Sequence, residues 1–535
     1  MALNFADLFE HAADAFAERT AVACGDRQAT YRELEERANR LAHHLAGLGV
    51  GPGDHVGLYA RNSVEAIETL LAACKLRAAA VNINYRYVEN ELQYMLADSD
   101  PVALVYDRRL APVVARAAQA APGLRALVEI DDGTLPDATS GTDYDTALAA
   151  ASPARDFPAR SADDVYIIYT GGTTGYPKGV MWRHEDIWRT LADGIDFVTA
   201  EPLPDEWAQS RKGLDNGEFV KLCAAPLIHG NAQVAALAGL FSGETIVMLP
   251  AFDAGEIWRA VERHHVNVLV IIGDAMARPL VEAYADGDYD VSSLVAMSSS
   301  AALFSPAVKD ACAKALPDVV ITEAIGSTET GFAGISFVSA GEPHRGGPTV
   351  TAGPDVIVLG DDGQPVAPGQ VGRLARGGHV PLGYYKDPVK TSTMFAEVDG
   401  KRYAIPGDMA RVEEDGTLTL LGRGNTCVNS GGEKVFPEEV EGALKSHPDV
   451  FDALVIGMPD DLLGQRVAAL VQPRPGTEPD PAALQEHVRG HIAGYKVPRS
   501  IWLTSTIRRT VSGKADYAWA REYAGAHQPG LDTRR

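Results

Sequence analysis

Cysteine is scarce in this sequence of 535 residues: five in all, Cys24, Cys74, Cys223, Cys312 and Cys427, with no Cys-x-x-Cys pair and no histidine cluster at ligand spacing. That excludes a disulfide scaffold and a zinc ribbon, and points to reduced structural thiols in a cytoplasm. Positive charge is also short. Lys plus Arg number 48 against 72 for Asp plus Glu, a formal charge of −24, which repels nucleic acid and anionic lipid at long range while allowing a local basic pocket for a phosphorylated ligand. No basic-then-apolar leader precedes the amphipathic start Phe5, Leu8, Phe9, Ala12, Ala13, Phe16, so secretion is not expected. Long uncharged apolar runs are missing too. The most apolar helical candidate, 66–81, carries Glu68, Lys75 and Arg77, and reads as a buried helix of a soluble protein instead of a membrane span.

What is present is apolar material for several cores, 46% of the chain. Apolar runs at 102–106, 165–169, 245–249 and 268–272 alternate with amphipathic helical stretches, the pattern of an α/β protein with buried, mostly parallel strands. No internal repeat is evident. A Val- and Gly-rich stretch, 351–376, predicts a small β subdomain. Near Gly422 a short polar, glycine-bearing stretch reads as a linker. The expected organisation is a large N-terminal domain (1–422), a hinge (423–426) and a small mobile α+β domain (427–535). In the last, helices are expected at 437–446 and 480–492, strands at 452–457, 466–472 and near Ile501, and a mobile tail over 525–535.

The most informative stretch begins at Tyr166 and reads Tyr-Ile-Ile-Tyr-Thr-Gly-Gly-Thr-Thr-Gly-Tyr-Pro-Lys-Gly-Val-Met-Trp: a strand, a glycine and threonine turn, and a returning strand. Gly171, Gly172, Gly175 and Gly179 let backbone N–H groups close on an anion. Thr170, Thr173 and Thr174 add hydroxyl donors, and Lys178 adds charge. This is a phosphate cradle, distinct from a Walker A loop because Lys178 lies between Pro177 and Gly179.

These residues resemble the adenylate-forming superfamily of acyl-CoA synthetases, aryl-CoA ligases, luciferases and nonribosomal-peptide adenylation domains. The resemblance runs along nearly the whole chain, because further motifs follow in order. Glu323-Ala324-Ile325-Gly326-Ser-Thr328-Glu329 matches the segment in which a threonine meets nucleotide phosphate and a glutamate holds magnesium, which places those roles on Thr328 and Glu329. Ile325 stands where many relatives carry an aromatic that stacks on adenine. Ser300 and Ala301 match the segment lining the adenine and acyl pockets. Asp408 and Arg423 match the two residues that reach ribose, and Asn425 stands at the hinge, where relatives carry Asp or Lys. Gly431 and Gly432 match the loop beside the pantetheine thiol, His229 the group that opens the thiol channel, and Lys514 the mobile lysine that bridges carboxylate and α-phosphate. A cation there answers a physical need, since one anion must attack another.

The resemblance implies ATP, magnesium and coenzyme A as co-substrates and a carboxylic acid activated as its acyl-adenylate, with Lys514 serving the first step and Gly431 and Gly432 the second. The look is similar to actinobacterial fatty-acyl and steroid side-chain CoA ligases, which implies a bulky hydrophobic acid, with Ile228, Met297 and Ala333 as candidate pocket walls. A carrier-protein thiol as acceptor, nitrite activation for arylamine diazotisation and a catalytically silent binding protein stay open as alternatives. No cysteine stands in a nucleophile motif, and a homo-oligomer is left open.

Overall fold

The computed structural model describes residues 4–134, 141–170, 177–195, 201–302, 304–339, 348–353, 355–424, 426–430, 433–460, 463–509 and 515–533. Among these, three sheets carry the α/β fold that the sequence pattern predicts. An 8-stranded sheet holds the strands Ala79–Asn82, Val165–Thr170 and Lys178–Arg183. A 15-stranded sheet is parallel through Val220–Cys223, Val268–Ile271, Ala296–Ser299 and Val320–Ser327, then turns antiparallel at Gly331–Val338 and continues into the β subdomain. A 6-stranded sheet is built from 428–532 alone.

Why these segments become helices is visible at their ends and on their buried faces. Phe5–Ala15 starts where the Asn4 side chain accepts from the Ala6 N–H, and it buries Phe5, Leu8, Phe9 and Ala12. Tyr31–Gly47 starts with a capping box of Thr30 and Glu33. Both pack with Val64–Lys75 and Gly230–Phe241 in one continuous apolar core that also takes in Tyr166, Ile168 and Trp182 from the 8-stranded sheet and Trp188 from the helix His184–Leu191. The C-terminal segment has cores of its own, one built from Val428, Val440, Leu444, Val455, Val467, Ala469, Leu484 and Ile501. No helix among the described residues is long and apolar enough to cross a membrane.

Two expectations need correcting. The helix expected over 66–81 ends at Lys75: Arg77 takes φ +58°, the Ala78 N–H donates back to the Ala73 carbonyl, and Ala79–Asn82 is a strand. The boundary is hidden in the sequence because both elements are buried all round, so neither shows its period. The tail over 525–535 is in part structured. The helix Tyr517–Ala526 runs into it, and Leu531–Asp532 pairs with Ser500–Leu503, with Gly530 and Thr533 donating to the Ile501 and Arg499 carbonyls at 2.8 Å each. Those bonds cover a strand edge that would otherwise lie open.

Candidate active site

Parallel strands present their carboxyl ends to one side of a sheet, and ligands of α/β proteins bind there. The strand Val220–Cys223 leads to the turn before His229, Val268–Ile271 leads to Gly273 and Asp274, Ala296–Ser299 leads to Ser300 and Ala301, and Val320–Ser327 leads to Thr328 and Glu329. From the other large sheet, Val165–Thr170 ends at the cradle. The cradle's centre, Gly171, Gly172, Thr173, Thr174 and Gly175, lies outside the described residues, but its base does not: Thr170 and Lys178 are cross-strand partners.

The strap 383–387 ties that base to the Thr328–Glu329 turn. It runs antiparallel beside Lys178–Arg183, with Gly383 opposite Met181 and Tyr384 opposite Val180. Asp387 Oδ2 then accepts from Lys178 Nζ at 2.6 Å, a bond that holds the Asp387 carboxyl below its usual range. Tyr384 donates its hydroxyl to Glu329 Oε1 at 3.0 Å. Trp182, on the same strand as Lys178, donates its indole N–H to the Thr328 carbonyl at 2.9 Å. Gly331 closes the turn at φ +69°, where a Cβ would lie 1.9 Å from Thr190 Cγ2, so only glycine lets the turn come this close to the helix His184–Leu191. Phosphate-cradle lysine and candidate metal carboxylate, 151 positions apart in sequence, are thus held by one five-residue strap.

Two buried asparagines fix the neighbouring turn. Asn82 ends the strand Ala79–Asn82, whose backbone pairing with Val165–Thr170 is at Val81 and Ile167. Its side chain carries the pairing further: Oδ1 accepts from the Tyr169 N–H at 2.8 Å, and Nδ2 donates to the Tyr169 carbonyl at 2.9 Å and to the Ile228 carbonyl at 2.6 Å. Asn62 accepts from the Leu227 N–H at 2.7 Å and donates to the Ala225 carbonyl at 3.3 Å. The residue before the cradle and the residue before His229 therefore share one side chain. His229 itself is half-buried and caps the helix Gly230–Phe241.

Along Val320–Ser327 the sides alternate. Ile321, Glu323 and Ile325 are buried, whereas Ala324 and Gly326 are not. Burial pushes the Glu323 carboxyl up, and Lys309 pairs with it. Ile325 packs with Ala333, Val350, Val358, Leu374, Ala410 and Leu418. Period-2 alternation commits its side chain to this core. Met297 likewise packs in one core and Ala333 in another, so with Ile228 they do not wall one pocket. Ala301 takes φ +65°, a conformation costly for a residue with a Cβ and of a kind that concentrates at functional turns.

Asp408 opens the strand Asp408–Val412 directly across from Arg423, and the Gly424 N–H donates to the Gly407 carbonyl at 2.9 Å. The two candidate ribose residues are cross-strand neighbours in the same sheet as the Thr328 turn. Asn425, Gly431, Gly432 and Lys514 lie outside the described residues, but the flanks of 510–514 do not: Arg509 and Ala515 form an antiparallel bridge.

Among the described residues no group of three or more His, Cys, Asp or Glu could hold a metal ion. A half-buried carboxylate on a turn beside a phosphate cradle suits magnesium that arrives on a triphosphate, because that ion keeps waters and phosphate oxygens and takes one or two carboxylates.

The AMP-binding enzyme model matches residues 9–385, and the AMP-binding enzyme C-terminal domain model matches 439–514. The chain belongs to the AMP-binding enzyme family. Among AMP-binding enzymes it is 53% identical to 3-oxocholest-4-en-26-oate–CoA ligase of Rhodococcus rhodochrous, over 98% of this chain and 96% of that one. It is 42% identical to the medium-chain acyl-CoA ligase Mig of Mycobacterium avium, over 96% of each. Of solved AMP-binding enzymes, ATP-bound MatB from Rhodopseudomonas palustris superposes with a TM-score of 0.81 at 26% identity, covering 97% of this chain and 99% of that one. An anthranilate CoA ligase in complex with anthranoyl-AMP reaches 0.84 at 24% identity, covering 98% and 97%, a likeness of fold.

Among the described residues, Thr170, Ser300, Ala301, Thr328 and Glu329 lie at or just after strand ends, and Asp408 and Arg423 on paired strands. Asn62, Asn82, Trp182, Tyr384 and Asp387 escaped the sequence reading. Only Asn82 left a signal, as a lone amide closing the apolar run Ala-Ala-Ala-Val.

Proposed function

We propose that this enzyme joins a hydrophobic carboxylic acid to coenzyme A at the expense of ATP, through an acyl-adenylate. The observation that carries this reading is the strap 383–387, which joins Lys178 and Glu329 at the carboxyl ends of parallel strands, where a triphosphate has both a cation and a metal carboxylate. The relatives at 53% and 42% identity support a steroid side-chain acid or a medium- to long-chain fatty acid as the substrate class.

ATP lies on the turn from Thr170 to Lys178, with ribose on Asp408 and Arg423 and the base along Ser300, Ala301, Ala324 and Gly326. Glu329, oriented by Tyr384, would hold magnesium, which would supply neutralisation of phosphate charge. Lys514 approaches and offsets the repulsion as a carboxylate oxygen attacks the α-phosphorus; the phosphoanhydride bond breaks and pyrophosphate leaves. The C-terminal domain, 427–535, then turns about 423–426 and brings Gly431 and Gly432 to the site while His229 opens the channel. The thiol sulfur attacks the acyl carbonyl, its proton passes to solvent, and AMP leaves. No covalent enzyme intermediate is required. The buried reduced thiols of Cys24, Cys74, Cys223 and Cys312 support a cytoplasmic location.

Mass spectrometry of products from a panel of steroid side-chain, fatty and aryl acids, with ATP and with or without coenzyme A, tests the reading. Acyl-CoA plus AMP is the expected outcome. A product formed only with a carrier protein, or only with nitrite and an arylamine, would replace it.

A further inference from the structure

The strand Val268–Ile271 runs into the helix Gly273–Asp286, whose second residue is Asp274. Asp274 is firmly held: its Oδ1 accepts from the Ser305 N–H at 2.7 Å, and the preceding Gly273 N–H donates to Ser299 Oγ at 3.0 Å, beside Ser300 and Ala301. Its other oxygen, Oδ2, accepts at 3.1 Å from Lys445 Nζ, which belongs to the helix Pro437–Lys445 of the C-terminal segment. The Lys445 side chain is only 1% exposed, so this ion pair is sealed from water.

Lys445 also stands 3.9 Å from Asp452, and Asp452 grips Arg509 through a two-toothed fork at 2.8 and 2.6 Å. Burial pushes the Asp452 carboxyl up, and Lys445 and Arg509 more than offset it, leaving it below the usual range. Arg509 is the residue immediately before 510–514, and it bridges to Ala515 on the far side of that segment. A continuous chain of alternating charge, Asp274, Lys445, Asp452, Arg509, therefore links the turn beside Ser299 to the root of the Lys514 segment. Glu441 faces Lys445 and Arg509 from the same helix but spends Oε1 on the Val455 N–H at 2.9 Å. Arg278 lies over the Phe451 ring at 5.4 Å and Arg474 stands 3.6 Å from Glu282, so the same helix face of Gly273–Asp286 meets the C-terminal segment at two further points.

We infer that the Asp274–Lys445 pair is a positioning latch for adenylation: it holds the C-terminal domain in the orientation that keeps Arg509, at the flank of the Lys514 segment, on the side of the Ser299 turn, and it parts when the domain turns for thioester formation. A buried charge stripped of its partner is strongly disfavoured, so the docked orientation loses occupancy when either side is neutralised. The inference rests on the two-step ligase reading and makes the steps separable.

The test compares Asp274→Asn, Lys445→Met and Lys445→Arg in two assays, pyrophosphate release from acid and ATP, and thioester formation from a supplied acyl-adenylate and coenzyme A. Pyrophosphate release should fall by about tenfold or more in Asp274→Asn and Lys445→Met, since a lost buried pair exceeds the ~1.4 kcal/mol that tenfold represents. Thioester formation should stay within about twofold of the unaltered enzyme, because that step follows undocking. Lys445→Arg, which keeps the charge, should recover most of the first activity. Equal loss in both assays, or no loss in either, overturns the latch. An unaltered enzyme that releases no pyrophosphate with any acid overturns the ligase reading instead.

Discussion

Replacing Asn82 with alanine removes three hydrogen bonds at once and leaves the Tyr169 N–H, the Tyr169 carbonyl and the Ile228 carbonyl without their partner in a buried place. Each buried group so orphaned costs about 1–3 kcal/mol. Water entering the vacated space recovers part of this, so about 3–5 kcal/mol is expected for the three together. That is a large share of the roughly 5–15 kcal/mol by which domains are stable. The functional consequence is local. Tyr169 precedes Thr170 and Ile228 precedes His229, so both turns lose their common anchor, and KM for ATP in pyrophosphate exchange should rise about tenfold, equivalent to ~1.4 kcal/mol of lost positioning. Asn82→Asp is equally informative. It keeps the acceptor for the Tyr169 N–H but sets carboxylate oxygen against two carbonyls, so it should be no milder than alanine despite its matching shape. Urea unfolding measures the first quantity and ATP titration of exchange the second. An alanine variant within about 1 kcal/mol of the parent in stability, with unchanged KM, would refute the reasoning.

Tyr384→Phe removes the hydroxyl that orients Glu329, and loss of such an outer partner typically weakens metal binding about 10–100-fold. Calorimetry should show ATP binding with a weakened magnesium dependence while ATP alone binds as before; unchanged magnesium dependence would show that Tyr384 does not serve the metal carboxylate. Burial pushes the thiols of Cys24, Cys74, Cys223 and Cys312 up to about 12, so at neutral pH they are protonated and poor nucleophiles. Each single Cys→Ser variant that folds should therefore retain acid-dependent pyrophosphate release, and loss of it in all five would point to a covalent route.

Candidate motifs for binding a ligand through contiguous backbone and short side chains could be proposed from the sequence, because their chemistry is local: the glycine and threonine stretch ending at Lys178, the Thr328–Glu329 turn, and the Asp408 and Arg423 pair. The residues that hold those motifs in place were not. Asn82 acts on Tyr169 and Ile228, Asp387 on Lys178, and Asp274 on Lys445, each across a separation that only the folded chain closes. Side-chain direction was likewise hidden. Ile325 and Glu323 stand in a motif segment yet point into packed material, because strand alternation, set by register with Gly331–Val338, decides which side of the motif is offered. The early end of the helix Val64–Lys75 and the late strand Leu531–Asp532 were missed for a related reason: uniformly apolar and short polar segments carry no period from which to read a boundary.

The central claim is that Lys514 acts in adenylation and withdraws before the thiol attacks. Lys514→Ala, assayed separately for pyrophosphate release and for thioester formation from supplied acyl-adenylate, measures it directly. The account predicts that the first activity falls by about 100-fold or more while the second stays near that of the unaltered enzyme; equal loss in both would contradict it.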